Sequence, residues 1–75
     1  MKIQVIGLGY VGQTLAITLA DVGFTVYGSD VDDNVLEQLR MGKSHIQEKN
    51  LVPLLRQHIN KRFFVGKPEE IYQKD

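Results

Sequence analysis

The chain has 75 residues, and nine Lys or Arg balance nine Asp or Glu, so its formal net charge is zero and it carries no electrostatic footprint for nucleic acid or anionic lipid. At 43% hydrophobic and 24% charged residues it is composed like a globular chain, not a disordered one, and at this length it forms one domain or part of one. It contains no cysteine, which excludes a disulfide scaffold, a cysteine zinc site and a cysteine nucleophile within these residues.

No run of about 18 uninterrupted apolar residues is present, so no transmembrane helix is expected. Gln4 and Gln13 interrupt the apolar opening that follows Lys2, which argues against a signal peptide and for a cytoplasmic protein.

The first predicted element is a short buried strand, Ile3 to Ile6, that stops at Gly7. A helix is expected from Tyr10 to Val22, with Val11, Leu15, Leu19 and Val22 at helical spacing on one face. Gly12, Ala16 and Ala20 form a second stripe, of small residues, that would let the helix backbone approach a sheet closely. Gly23 is placed to end the helix in the left-handed conformation. Phe24 to Ser29 is rich in β-formers and reads as the second strand. Asp32 is a natural N-cap for a helix over Asp33 to Met41, with Val35, Leu36 and Leu39 as its buried stripe and Gly42 at its end. After a polar connection, Asn50 can cap a third helix over Leu51 to Ile59, in whose first turn Pro53 is tolerated. Arg62 to Val65 reads as the third strand, and Pro68 to Gln73 as the opening of a short helix whose N-terminus would favour Glu69 and Glu70. The alternation predicts an α/β fold: three parallel strands in the order 3-2-1 joined by right-handed helical crossovers, half of a doubly wound Rossmann sheet.

The motif with chemistry in it is Gly7-Leu8-Gly9-Tyr10-Val11-Gly12. A bare G-x-G-x-x-G is frequent by chance. This one follows a strand at once, opens a helix, and is followed 18 residues after Gly12 by Asp30 at the end of the next strand, close to the dinucleotide-binding spacing of about 20. In that arrangement Gly7 permits the tight turn, Gly9 lets a pyrophosphate approach the backbone, and Gly12 lets helix and strand pack closely. Backbone N–H groups near Tyr10 and Val11, with the positive end of the helix dipole, would face the phosphates. Asp30 would accept hydrogen bonds from the adenosine ribose, and its charge, with no Arg or Lys close behind it, favours NAD over NADP. His45 and His58 lack further ligands at metal-binding spacing. No nucleophile elbow and no carboxylate pair suited to acid–base catalysis is found, so no catalytic residue is assigned.

The sequence resembles the N-terminus of the UDP-glucose/GDP-mannose dehydrogenase family, the nucleotide-sugar dehydrogenases. The opening from Lys2 to Gly12 matches that family's first strand and loop, with Tyr10 and Val11 more specific than the glycines; Val26 to Asp32 matches its V-x-G-x-D-x-D strand. Leu39 and Gly42 fit its L-x-x-G helix end, and Ser44, Ile46, Glu48, Leu51, Leu54 and Leu55 fit its S-P-I-x-E-P-G-L-x-x-L-L segment. The chain departs from it at His45, at Lys49-Asn50, at Pro53 and at Val35, where the family has proline, Pro-Gly, a helix former and often a basic residue. The resemblance implies an oxidoreductase parent that oxidises a UDP- or GDP-sugar with NAD, using a catalytic cysteine and lysine and a second nucleotide-sugar domain that have no counterpart here. This chain alone is thus expected to be inactive and to hold only the adenosine and pyrophosphate of NAD. A regulatory NAD-sensing module like those of potassium-uptake channels, and a remnant that binds no nucleotide, remain alternative readings. A bare edge on the first strand is expected to favour a homodimer.

Overall fold

The computed structural model describes residues 1–72. The elements are β1 (Lys2–Ile6), α1 (Tyr10–Val22), β2 (Thr25–Ser29), α2 (Asp33–Arg40), α3 (Leu51–His58), β3 (Phe63–Gly66) and α4 (Pro68–Ile71). The three strands form one parallel sheet with β2 in the middle, the expected half-Rossmann order. Gln73, expected at the end of the last helix, lies outside the described residues.

The register aligns Val5, Gly28 and Val65 across the sheet, and likewise Ile6, Ser29 and Gly66. Because side chains alternate between faces, Val5, Val26 and Phe63 point to the side that carries the helices, and all three are buried. They meet Ala16, Ile17 and Ala20 of α1, Leu36 and Leu39 of α2, and Leu51 and Leu55 of α3 in one core. Tyr27 and Phe64 stand on the opposite face and stack with ring centroids 5.4 Å apart. Gly23 ends α1 at φ 123°, and the Asp32 side chain caps α2 by accepting from the Asn34 N–H.

One sequence expectation is corrected. Asn50 does not cap α3 with its side chain: it takes φ 73°, the left-handed region, where its backbone turns the chain into the helix. The small-residue stripe of α1 approaches the sheet as expected, and the larger apolar stripe lies mostly exposed. Val11 is 75% exposed and Val22 70%, while Gln13, Ala16, Ile17 and Ala20 are buried. The reason is close approach: the small-residue stripe lets α1 lie on the sheet, which turns Val11, Leu15 and Val22 toward the open side of β1.

Candidate functional site

The turn between β1 and α1 is fixed by backbone groups of Gly7, Leu8 and Gly9 that have partners within the chain. Gly7 takes φ +88°, a conformation L side chains rarely adopt, and its N–H donates to the Ser29 carbonyl at 2.8 Å. Its own carbonyl oxygen lies against Gly12, where an added Cβ would stand 1.8 Å from it. The first turn of the helix can lie this close to the strand end only because Gly12 has no side chain.

Leu8 is held on every side. Its side chain is fully buried and lies over Gly28, whose added Cβ would come within 2.8 Å of Leu8 Cδ2. Its N–H donates to Asp30 Oδ2 at 2.8 Å, and its carbonyl accepts from Gln13 Nε2 at 2.9 Å. Asp30 also accepts from the Asp32 N–H through Oδ1 at 2.9 Å. Partial burial taken alone would raise the Asp30 pKa, but the backbone N–H groups of Leu8, Asp32 and Val31 together outweigh it and hold the carboxyl below its ordinary value of 3.8.

The first helical bond of α1 runs from the Gln13 N–H to the Gly9 carbonyl at 2.9 Å. The preceding N–H groups, of Gly9, Tyr10, Val11 and Gly12, are the orphan donors of the helix start. Gly9 gives no side-chain cap, and the first turn has no acid to complement it. Gly9 itself sits at φ −73° with nothing within 4 Å of an added Cβ. The structure thus brings Gly7, Gly9, Tyr10, Val11, Gly12 and Asp30 into one small region at the carboxyl end of the parallel strands. The side chains of Tyr10 and Val11 are exposed there.

The histidines are elsewhere: His45 is exposed in the α2–α3 connection, and buried His58 meets Asp21 Oδ1 at 3.0 Å, tying α3 to α1.

Residues 1–74 match the model of the UDP-glucose/GDP-mannose dehydrogenase family, NAD binding domain. The chain belongs to this family. It is 41% identical over 61 residues to a UDP-N-acetyl-D-mannosamine dehydrogenase of Methanococcus maripaludis, covering 81% of this chain and 14% of that protein. A solved UDP-glucose dehydrogenase of Pyrobaculum islandicum superposes with a TM-score of 0.85 at 36% identity, over 93% of this chain and 17% of that one. A GDP-mannose dehydrogenase of Pseudomonas aeruginosa gives a TM-score of 0.84 at 36% identity, over 91% and 16% of the two chains. The chain therefore spans only a small N-terminal part of these dehydrogenases.

Sequence reasoning missed the second anchor of the turn in this family member, Gln13, having read it as a break in an apolar run. Its signal was available: a lone polar residue in line with Ala16, Ile17 and Ala20 at positions i+3, i+4 and i+7.

Two outcomes follow. Gly12→Ala should cost about 3 kcal/mol, the upper end for overpacking, because the obstructing atom is backbone; a denaturant midpoint unchanged from the parent would contradict this. Asp30 contributes stability that is fully present above the ordinary carboxylate pKa and is lost as pH falls through the lower folded-state value. The stability advantage of the parent over Asp30→Asn, measured by denaturation from pH 7 downward, should accordingly shrink only in acid; an advantage independent of pH would sink the assignment.

Proposed function

We propose that this chain binds the adenosine and pyrophosphate of NAD, as the N-terminal part of an enzyme that oxidises a nucleotide sugar. The observation that carries the reading is Gly9. Gly7 is needed for its positive φ and Gly12 for the contact with the Gly7 carbonyl. The folded chain itself makes no such demand at position 9, where φ is ordinary and the space beyond is open. A glycine there is accounted for by an approaching ligand.

The donors beside that space suit an anion: orphan N–H groups at a helix start with the positive end of the dipole behind them. Asp30 is ionised at neutral pH and adjacent, which suits ribose hydroxyls and opposes a 2′-phosphate. Gly7, Gly9, Gly12 and Asp30 are thus the residues that would hold the dinucleotide, with the backbone of Tyr10 and Val11 facing the pyrophosphate. NAD would supply the hydride acceptor; the residues described here only bind and orient it. The family match favours this reading over a channel-type sensing module, and the reading carries a cytoplasmic location with it. A remnant without nucleotide affinity is the outcome that binding measurements would expose.

Calorimetry on the parent chain should show NAD bound more tightly than NADP. Gly9→Ala should leave stability within about 0.5 kcal/mol, as for an open surface position, while weakening NAD by about tenfold or more, about 1.4 kcal/mol. NADP bound as tightly as NAD, or an alanine variant with full affinity, would overturn the proposal.

The second partner we infer is another copy of the chain, paired along β1. The Gly7 N–H points to β2, so by alternation the N–H groups of Gln4 and Ile6 point to the free edge. Beside that edge runs a groove of about 570 Å³ lined by β1, Gly7, Gly9, Val11, Gly12 and Leu15, and Ile6, Val11 and Leu15 are exposed in it. An antiparallel pairing of two β1 strands would cover both copies with one closed symmetry operation. Sedimentation equilibrium should show a dimer at high micromolar concentration that Gln4→Pro, lacking an edge N–H, converts to monomer. A monomeric parent chain would rule the pairing out.

A further inference from the structure

The side chain of Gln13 is fully buried on α1 and belongs to a hydrogen-bonded chain linking segments far apart in sequence. The Ile46 N–H donates to Ser44 Oγ at 3.1 Å, the Ser44 hydroxyl meets Gln13 Oε1 at 2.7 Å, and Gln13 Nε2 donates to the Leu8 carbonyl at 2.9 Å. The direction of every bond is fixed by its ends. The Ile46 N–H can only donate, so the Ser44 oxygen accepts there and its proton goes to Oε1. The Leu8 carbonyl can only accept, so the amide must present Nε2 to it. Buried Ile46 anchors the far end in the core.

The consequence lies one bond beyond Leu8. A trans peptide is planar, with its C=O and N–H pointing in opposite directions. With the Leu8 oxygen drawn inward to Gln13, the N–H of the same peptide unit, that of Gly9, points outward into the open space over the turn. A flip of this peptide would place a carbonyl oxygen where the N–H stands. An anion would then meet a negative dipole end in place of a donor. The Asp30 bond fixes only the preceding peptide, through the Leu8 N–H, and does not prevent that flip.

We infer that Gln13, oriented by Ser44, is a positioning residue that holds the Gly9 N–H outward for the pyrophosphate, and so couples the α2–α3 connection to nucleotide affinity. The inference rests on the nucleotide reading above and names residues on which that reading does not depend. Gln13 touches no part of the space where the ligand would lie; it acts through the Leu8–Gly9 peptide. Ser44 acts one step further back.

The test has two readouts on the full 75-residue chain. Without ligand, the Gly9 amide ¹⁵N shift reports the bond accepted by the preceding carbonyl. It should move in Gln13→Leu and in Ser44→Ala, and return to the parent value in Ser44→Thr, which keeps the hydroxyl. With ligand, ADP affinity should fall about tenfold to a hundredfold in Gln13→Leu, the range expected for one hydrogen bond to a charged group. Adenosine, which has no pyrophosphate, should bind both chains alike. A Gly9 shift unchanged in folded Gln13→Leu and Ser44→Ala would overturn the inference, as would equal losses for ADP and adenosine. Ser44→Ala removes only the orienting hydroxyl and keeps the test available if Gln13→Leu does not fold. A parent chain that binds neither ADP nor NAD would overturn the nucleotide reading instead, with the amide shifts still deciding whether Gln13 fixes the peptide.

Discussion

The contact between the Gly7 carbonyl oxygen and Gly12 sets the geometry on which the rest depends. It places the first turn of α1 directly against the end of β1, at a distance no side chain on residue 12 would allow. With the helix start fixed there, its rotation follows from the small residues one and two turns on, Ala16 and Ala20, which continue the close approach. Ile17 then enters the core between α1 and the sheet, Gln13 is driven beneath the turn, and Val11, Leu15 and Val22 are carried to the side where β1 has no strand neighbour among the described residues. The same contact that leaves the helix start open therefore leaves an apolar flank along β1.

Much of this was legible in the sequence because several signals coincide. The glycine loop, the strand before it, the helix after it and Asp30 at the end of β2 each support the others, and the parallel order follows from the alternation of elements. The rotation of α1 was legible in part. The stripe of Gly12, Ala16 and Ala20 pointed to the close approach that the structure shows, while the periodicity of Val11, Leu15, Leu19 and Val22 marks an apolar face without saying what it meets. Asn50 shows a similar limit. Asparagine satisfies a helix start through its side chain and also tolerates the left-handed region, and only the path of the connection between Gly42 and Leu51 selects the second use. The burial of Gln13 could be read from its place in line with Ala16, Ile17 and Ala20, but its partners could not: Leu8 and Ser44 lie five residues before it and 31 after it, and a network spanning that distance has no local signature.

Asp30 joins the fold to the chemistry. It was read from sequence as a ribose acceptor, and it is also the brace that ties the glycine turn to the end of β2. These roles do not compete. An ionised carboxylate has about four acceptor sites; the Leu8 and Asp32 N–H groups use one on each oxygen and the Val31 N–H also acts on the group, which still leaves acceptor capacity for a hydroxyl. The brace keeps the group charged, since its backbone donors favour the ionised form, and it fixes the carboxylate in place before any ligand arrives. The proposed ribose contact would then need neither a rotamer change at Asp30 nor the breaking of a bond in the turn. Leu8 stands between this brace and Gln13, with its N–H held by one and its carbonyl by the other, so the two peptide units flanking it are both oriented in advance. An anion site made of backbone N–H groups has no side chains to reorient. The affinity of such a site depends on how firmly those peptides are held, and in the site proposed here that task would fall to one half-buried acid and one buried amide on opposite sides of a single leucine.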